Sequence, residues 1–337
     1  MMKQKEEIEA LADKIRSGNR AALSRAITLT ESHLSWHQNQ SLHLLNLLYS
    51  STGNSIRVGI SGIPGAGKST FIEALGTFLI EQLGKRVAVL AIDPSSARSG
   101  GSILGDKTRM EDLSRKEQAF IRPSPTNTKL GGVGQHTQKA ILLCEAAGYD
   151  VVFVETVGVG QSEQAVNGMV DVFLLVQIVG AGDDIQAIKR GVLECVDIVL
   201  MNKADNGREK EAAKEAKSLQ QELRLLTPKH TSWDTAVLTC SSLEKKGIRN
   251  VWETIERHQN TLKATNAFDD HRKAQSLAWM KVLEQQTLQY FLDMHPEIIA
   301  LREANQRQFA DHDRSPFDVI QKMNERLNEL FFKNKTT

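Results

Sequence analysis

Residues 62–69 read Gly-Ile-Pro-Gly-Ala-Gly-Lys-Ser, which is the pattern of a phosphate-binding loop: a glycine, four residues, then Gly-Lys-Ser. An apolar run of strand type, residues 56–60, precedes the loop, and a helical pattern begins at Lys68. Glycines allow successive backbone N–H groups to turn inward around phosphate oxygens, and the helix start adds partial positive charge. The stretch therefore predicts a nucleotide phosphate site.

Two side chains of this loop have expected roles. Lys68 places an ammonium group at the β- and γ-phosphates, and the Ser69 hydroxyl is a predicted magnesium ligand. A bound Mg²⁺ ion is thus the expected cofactor, and no tightly bound organic cofactor is expected. The residues predicted to bind the nucleotide here are Gly62, Ile63, Pro64, Gly65, Ala66, Gly67, Lys68, Ser69 and Thr70.

Composition excludes several classes of protein. The 337 residues are 40% hydrophobic and 25% charged, which is typical of an ordinary globular protein. A formal charge of +1 gives no general field for nucleic acid or anionic lipid, so neither nucleic acid nor a membrane is an expected partner. Without a secretory leader or metal-type cysteine spacing, we expect a cytoplasmic protein whose Cys144, Cys195 and Cys240 are reduced.

Apolar runs alternate with helical patterns through the middle of the chain. Such runs suit strands buried on both faces, and their alternation with helices predicts an α/β fold with a mostly parallel sheet. Right-handed crossovers then place the ligand loops along one edge, where the strands end. The predicted strands are residues 56–60, 87–92, 119–121, 151–155, 172–178, 196–201 and 236–239.

A second loop, Asn202-Lys203-Ala204-Asp205, follows the predicted strand 196–201. Asp205 can accept hydrogen bonds from N1–H and the 2-amino group of guanine, whereas adenine would leave the carboxylate unsatisfied. Lys203 is expected to lie along the base and Asn202 to brace the loop. After the last strand, Ser241, Ser242 and Leu243 are predicted to supply backbone N–H groups to guanine O6. GTP and GDP are therefore the expected ligands.

The strand predicted at 151–155 ends in Glu155, beside the phosphate loop. Its carboxylate is placed to hold magnesium directly or through water, and Gly158 lets a backbone N–H approach the γ-phosphate. Many GTPases carry a water-orienting glutamine soon after that glycine, but Val159 stands here. We therefore expect slow intrinsic hydrolysis that a partner accelerates.

Two glycine-rich stretches are candidate switches. The first runs from Asp93, at a strand end, to Asp106, for which helix capping and a metal-related role both remain open. The second contains Asp183, Asp184 and Gln186 before a helix that carries Lys189. Carboxylates at a helix start usually complement the helix dipole, and the glycines before them are compatible with a hinge.

Helical patterns flank the α/β region on both sides. The predicted division is a helical extension at 1–54, a P-loop GTPase domain at 55–262 and a helical arm at 263–337. The apolar stripe of the arm includes Leu277, Met280 and Phe291. It indicates either a cap on the sheet domain or a dimerisation arm, because such a stripe must be buried but does not identify its partner.

Taken together, these strings resemble the GTPases associated with adenosylcobalamin-dependent acyl-CoA mutases, chiefly methylmalonyl-CoA mutase, once called arginine/ornithine transport kinases. Nearly the whole chain is covered, and one departure is Ser242, where relatives usually carry alanine. The strings that carry the resemblance are 62–70, 92–96, 100–110, 155–163 and 182–186.

The resemblance implies a homodimer whose GTP hydrolysis gates cofactor delivery and protects the mutase. It implies that Ser69, Asp93, Asp106 and Glu155 surround magnesium, and that the segment reaching Lys189 is a switch that couples nucleotide state to the mutase. The predicted catalytic residues are accordingly Lys68, Asp106, Glu155 and Gly158.

Two other functions share parts of this pattern. A metallochaperone-type GTPase, such as one that delivers nickel, needs Cys or His ligands near the nucleotide, and His33 and His37 form the only tight histidine pair at helical spacing. A kinase would also use a phosphate loop. The Asn-Lys-Ala-Asp loop opposes an ATP-using kinase, and no separate motif supplies a catalytic base for an acceptor hydroxyl.

Overall fold

The computed structural model describes residues 2–32, 34–93, 110–125, 132–156, 162–180, 190–225, 228–310 and 315–332. The chain divides into two compact units, Met1–Arg272 and Lys273–Thr337. The first contains the sheet, and the described part of the second is helical. The three-part division predicted from the sequence stays a prediction.

A seven-stranded sheet forms the centre of the first unit, in the order β3-β2-β4-β1-β5-β6-β7. Every pair of neighbouring strands is parallel, which confirms the predicted fold class. The strands are β1 (Ile56–Gly62), β2 (Val87–Asp93), β3 (Ala119–Pro125), β4 (Val151–Thr156), β5 (Val172–Ile178), β6 (Ile198–Asn202) and β7 (Ala236–Thr239).

Helices connect the strands and extend the chain at both ends. The helices of the first unit are α1 (Met2–Arg16), α2 (Arg20–Glu31), α3 (Ser35–Leu48), α4 (Lys68–Leu83), α5 (Glu111–Ser114), α6 (Gly132–Ala146), α7 (Ser162–Asn167), α8 (Arg190–Leu193), α9 (Glu209–Leu223) and α10 (Ile248–Ala264). A short 3₁₀ helix, Tyr49–Ser51, follows α3. Helices α11 (Ala267–Met294), α12 (Pro296–Ala310) and α13 (Pro316–Phe332) complete the described chain.

Both faces of the sheet are buried, as the apolar strands predict. Along β4, Val152 and Val154 belong to one core cluster, whereas Val151 and Phe153 belong to the other, because successive side chains point to opposite faces. Residues of α1, α2, α3 and α6 join the first cluster, and residues of α4 and α10 join the second. The amino-terminal helices therefore share their core with the sheet.

Three predicted strands differ clearly from the structure. Strand β3, expected at 119–121, continues to Pro125. The strand expected at 196–201 begins at Ile198, because Val196 still closes a turn on Leu193 and the Asp197 carboxylate binds the backbone N–H of Phe173. Strand β7 is only half-buried, so burial on both faces was wrong for this strand. It lies at the edge of the sheet, where one side lacks a neighbouring strand.

The cysteines are free thiols. Cys144 and Cys240 are buried, as expected for core thiols, while Cys195 is partly exposed. Burial raises the pKa of the Cys240 thiol to about 12, so this side chain stays protonated and unreactive at neutral pH.

In the second unit, helix α11 ends before Pro296, as the sequence predicts, and α12 begins at this proline. Apolar side chains along α11 remain exposed in the single chain, among them Leu277, Met280 and Phe291. On α13, Phe317 is 85% exposed. Within the described ranges, no helix combines the length and apolarity needed to cross a membrane.

A buried ion pair ties β1 to α6. The Glu145 carboxylate accepts hydrogen bonds from Arg57 Nε and Nη2 at 2.8 and 2.9 Å, from Ser55 Oγ at 2.7 Å and from the Gly53 backbone N–H at 2.9 Å. The side chains of Arg57 and Glu145 are 8% and 0% exposed. A buried charge that loses its partner is costly, so this pair constrains how α6 packs on the sheet.

We predict that Glu145→Ala lowers the free energy of unfolding by about 3–5 kcal/mol, because Arg57 is left buried and unpaired. Chemical denaturation of the two purified proteins measures the difference. The matched control is Glu111→Ala, which removes an exposed partner of Arg115 at 3.6 Å and should cost less than about 1 kcal/mol. Equal effects of the two substitutions would contradict the prediction.

Candidate nucleotide-binding site

The phosphate loop lies between the end of β1 and the start of α4, at the carboxyl edge of the sheet. Gly62 and Gly67 have φ angles of +152° and +86°, which side-chain-bearing residues rarely adopt. A Cβ atom at Gly62 would lie 2.2 Å from the Val176 carbonyl oxygen, and one at Gly67 would lie 2.6 Å from Asn202 Nδ2. The loop backbone is therefore closely enclosed, and Gly67 leaves the α4 N-terminus without a side-chain cap.

Lys68 is held against the loop that it closes. Its Nζ donates hydrogen bonds to the carbonyl oxygens of Gly62 at 2.8 Å and Ile63 at 3.1 Å. The residue is only 9% exposed, so its ammonium group is fixed near the backbone amides of the loop. Buried ammonium and helix amides together favour a polyanion at this position.

Ser69, in the first turn of α4, meets Glu155, near the end of β4. Ser69 Oγ donates a hydrogen bond to Glu155 Oε1 at 3.0 Å, and Glu155 is 5% exposed. Adjacent oxygen ligands of an octahedral Mg²⁺ ion, each at about 2.1 Å, are about 3.0 Å apart. The donor set and its spacing fit this ion.

Asn202, the last residue of β6, connects the phosphate loop to the loop after β7. Its Nδ2 donates to the Ala66 carbonyl oxygen at 2.8 Å. Its Oδ1 accepts from Ser242 N at 3.1 Å, from Ser242 Oγ at 2.8 Å and from Cys240 Sγ at 3.3 Å. The bracing role expected of Asn202 is thus visible as bonds to both loops.

The sequence did not reveal that Ser242 and Cys240 contact Asn202. The Ser242 hydroxyl, which departs from the usual alanine, has its own acceptor in Asn202 Oδ1. The Ser242 backbone N–H, expected to face guanine O6, also donates to that oxygen. The parallel pairing of β6 with β7 brings the loop after β6 next to the loop after β7. No motif in the local sequence of either loop predicts this pairing.

Asp205 is buried and oriented by the loop after β7. Ser241 Oγ donates to Asp205 Oδ2 at 2.5 Å, and Asn206 Nδ2 donates to Asp205 Oδ1 at 3.1 Å. The Glu244 backbone N–H donates to Ser241 Oγ at 3.0 Å, which fixes the hydroxyl. A buried carboxylate held in this way can discriminate strongly between bases by their hydrogen-bond donors.

Other predicted contacts lie on the exposed side of these loops. Lys203 has a positive φ of 62° and is exposed, and its Cε lies near Gly67. Thr70 and Pro64 are exposed as well, and Leu243 is 75% exposed. The Lys203 position suits a side chain lying along a base plane.

Several predicted site residues lie outside the described residues: Asp106, Gly158, Asp183, Asp184, Gln186 and Lys189. Strand β2 ends at Asp93, whose backbone is described but whose side chain is not. Its neighbour strand β4 pairs Glu155 with Ala91, so the Asp93 backbone lies at the same edge as Glu155. The roles of all seven residues stay predictions.

Comparison with known proteins identifies the family. The family model described as methylmalonyl Co-A mutase-associated GTPase MeaB matches residues 23–295. This chain belongs to that family. The mutase-associated GTPase family is thus the one that the sequence strings resemble, and the resemblance is confirmed.

Several known proteins are similar to this chain over most of its length. A probable GTPase of Mycobacterium tuberculosis is 47% identical over 321 residues, which cover 95% of each chain. GTPase ArgK of Escherichia coli is 48% identical and covers 82% of this chain and 84% of its own. The mitochondrial methylmalonic aciduria type A homolog of Mus musculus is 43% identical, covering 83% of this chain and 70% of its own.

A solved structure supports the fold. The crystal structure of a LAO/AO transport system kinase matches with a TM-score of 0.72 and 36% identity, covering 95% of this chain and 97% of that one. The sheet order and the strand–loop–helix geometry therefore belong to a known P-loop GTPase architecture.

We predict that Lys68→Ala weakens GTP binding about tenfold or more, because a charge-assisted contact worth about 1.5–3 kcal/mol is removed. Titration calorimetry with GTP and Mg²⁺ measures the affinity. Lys214→Ala, an exposed lysine of α9, is the matched control and should bind GTP as the parent does. Unchanged affinity in Lys68→Ala would show that the phosphate assignment is wrong.

We also predict that Asp205→Asn shifts preference from guanine toward xanthine nucleotides, because the carboxamide offers one donor where the carboxylate only accepts. Competition between GDP and XDP for a fluorescent nucleotide measures selectivity. Glu244→Gln removes one negative charge from the neighbouring exposed loop and serves as the control. If Asp205→Asn retains the parent's guanine selectivity, Asp205 does not read the base.

Proposed function

We propose that this chain is a GTP-hydrolysing regulatory protein that gates cofactor loading of an adenosylcobalamin-dependent acyl-CoA mutase and protects that enzyme. Methylmalonyl-CoA mutase is the proposed partner, because the family description names it and the mouse relative is named for methylmalonic aciduria. The proposal rests on a GTPase family whose nucleotide loops are present in this chain.

One observation carries the nucleotide part of the proposal. The Asn202 amide bonds to Ala66 in the phosphate loop and to Ser242 in the loop that faces Asp205. A change at the phosphates can therefore reach the base loop through a single buried side chain. Such a connection suits a protein whose state is set by the nucleotide it holds.

We propose that magnesium is held at the carboxyl edge by Ser69 and Glu155, with Asp93 and Asp106 as the further ligands. The 3.0 Å separation of Ser69 Oγ and Glu155 Oε1 supports the first two. Magnesium would neutralise charge that develops on the phosphate oxygens, and Lys68 would hold the β- and γ-phosphates in place. Gly158 would donate its backbone N–H to the γ-phosphate.

We propose that intrinsic hydrolysis is slow and that the mutase stimulates it. Positioning the attacking water is a large part of phosphoryl transfer, and Val159 has no hydrogen-bonding group for that purpose. The segment with Asp183, Asp184, Gln186 and Lys189 is the proposed switch that senses the mutase.

A homodimer in the cytoplasm is the proposed state of the protein. The second unit exposes Leu277, Met280 and Phe291 along α11 and Phe317 on α13. Apolar side chains of this size are usually covered by a partner, and a second copy offers the same surface. The proposed interface is the arm at 263–337.

The metallochaperone alternative has weaker support in the described residues. His37 Nδ1 lies 2.6 Å from Ser32 Oγ, and the ring centroids of His37 and Trp36 are 3.7 Å apart. Its pair mate, His33, lies outside the described residues. His37 thus has local hydrogen-bonding and ring contacts that need no metal.

We predict that purified methylmalonyl-CoA mutase raises the GTP hydrolysis rate of this chain about tenfold or more, because partner contacts complete the water-positioning site. Phosphate release at saturating GTP measures the rate with and without mutase. The Lys68→Ala variant, assayed with the mutase, measures any hydrolysis by contaminating enzymes. Repeating the assay with an isobutyryl-CoA mutase tests which mutase this chain serves. An intrinsic rate that is already fast, or one unchanged by either mutase, would contradict the proposal.

A further inference from the structure

Three side chains converge at the amino edge of the sheet, opposite the edge that carries the phosphate loop. Asp197 precedes β6, His230 lies between α9 and β7, and His258 is on α10. Asp197 Oδ1 lies 3.4 Å from His258 Nε2 and 3.7 Å from His230 Nε2. One ligand atom from each of the three residues lies within 4.8 Å of the other two.

Asp197 Oδ1 lies at ion-pair distance from both histidine Nε2 atoms. Among the residues that the structure describes, however, none of these three atoms makes a hydrogen bond of acceptable geometry. Asp197 is 1% exposed and His258 is fully buried. A buried polar atom without a partner costs about 1–3 kcal/mol, so native proteins rarely leave several together. Three such atoms directed at one point indicate a shared ligand.

We propose that Asp197, His230 and His258 bind one Zn²⁺ ion. Two imidazole nitrogens and a carboxylate oxygen are donors that zinc prefers. Around a tetrahedral zinc with bonds of about 2.0–2.1 Å, neighbouring donors are about 3.3–3.4 Å apart. The two Asp–His separations, 3.4 and 3.7 Å, are close to this value, and the histidines offer ligand atoms within 4.8 Å of each other, so side-chain shifts would bring all three to one ion. Water is the fourth ligand.

Surrounding groups already orient the ligands. Asp197 Oδ2 accepts hydrogen bonds from Lys229 Nζ at 2.7 Å and from the Phe173 backbone N–H at 2.8 Å, which leaves Oδ1 directed at the histidines. The Trp233 ring packs edge-on against His258 with centroids 4.8 Å apart, and Trp233 Nε1 donates to the Asp197 carbonyl oxygen. Such outer contacts fix ligand geometry in metal sites.

The location of the site indicates its role. Its ligands come from the start of β6, the loop before β7 and helix α10, so zinc would cross-link three elements of the first unit. The enclosed position at the amino edge suits an ion that stabilises the fold, not one delivered to another enzyme. The positive charge of Lys229, beside Asp197, repels the zinc ion. We therefore expect weaker zinc binding than at a structural site with four protein ligands.

The test uses the full chain with any affinity tag removed, stripped of metal and nucleotide. Zn²⁺ is titrated in competition with a chromogenic chelator, using the parent chain, His230→Asn, His258→Gln and the double variant. We expect one zinc per parent chain and at least about tenfold weaker binding in each variant. His37→Gln is the matched control, because it alters a histidine of the sequence pair far from these ligands along the chain, and it should bind zinc as the parent does.

GDP binding by the variants shows whether they are folded, since the nucleotide loops lie at the other edge of the sheet. Because His258→Gln changes a core residue, X-ray absorption on the zinc-loaded parent gives a second readout, with two imidazoles expected in the first shell. Equal zinc affinity in the parent and the folded double variant would overturn the proposal, as would a shell that contains sulfur. Neither result would bear on GTP hydrolysis or on stimulation by the mutase.

Discussion

The hydrogen bonds of Asn202 are the constraint on which the geometry of the candidate nucleotide-binding site depends. This buried amide donates to the phosphate loop through Ala66 and accepts from the loop after β7 through Ser242. The two loops come from distant parts of the chain, so contacts within either loop cannot fix its position relative to the other. Because the amide is buried, losing either bond would leave a polar group unsatisfied, and the two loops therefore keep one relative geometry.

Parallel pairing gives the two edges of the sheet different chemistry. At the carboxyl edge, β4 and β6 end close to Glu155 and at Asn202, two residues of the candidate nucleotide-binding site. At the amino edge, an aspartate that precedes one strand accepts a hydrogen bond from the backbone of the neighbouring strand in the sheet. Asp171, before β5, accepts from Arg57 N of β1, and Asp197, before β6, accepts from Phe173 N of β5, each at 2.8 Å. These carboxylate–backbone hydrogen bonds at the amino edge help to fix the register of neighbouring strands. The ligand loops extend from the opposite ends of the same strands.

Much of the carboxyl edge could be predicted because its signals are local. Glycine spacing and Lys68 predict a phosphate loop, and the Asn-Lys-Ala-Asp sequence that follows a strand predicts a base loop. The Ser242 hydroxyl contact and the cluster of Asp197, His230 and His258 could not be predicted. Their members are separated by tens of residues, and each residue alone is unremarkable in composition and spacing.

The sequence by itself determined the fold class, the order of strands and helices along the chain, and the family. These follow from apolar periodicity and from motifs whose chemistry depends on neighbouring residues. Only the tertiary structure decided which strands are neighbours, which carboxylates are buried and which side chains orient them. The physical reason is that burial and hydrogen bonding depend on contacts between distant segments, which form only when the sheet assembles.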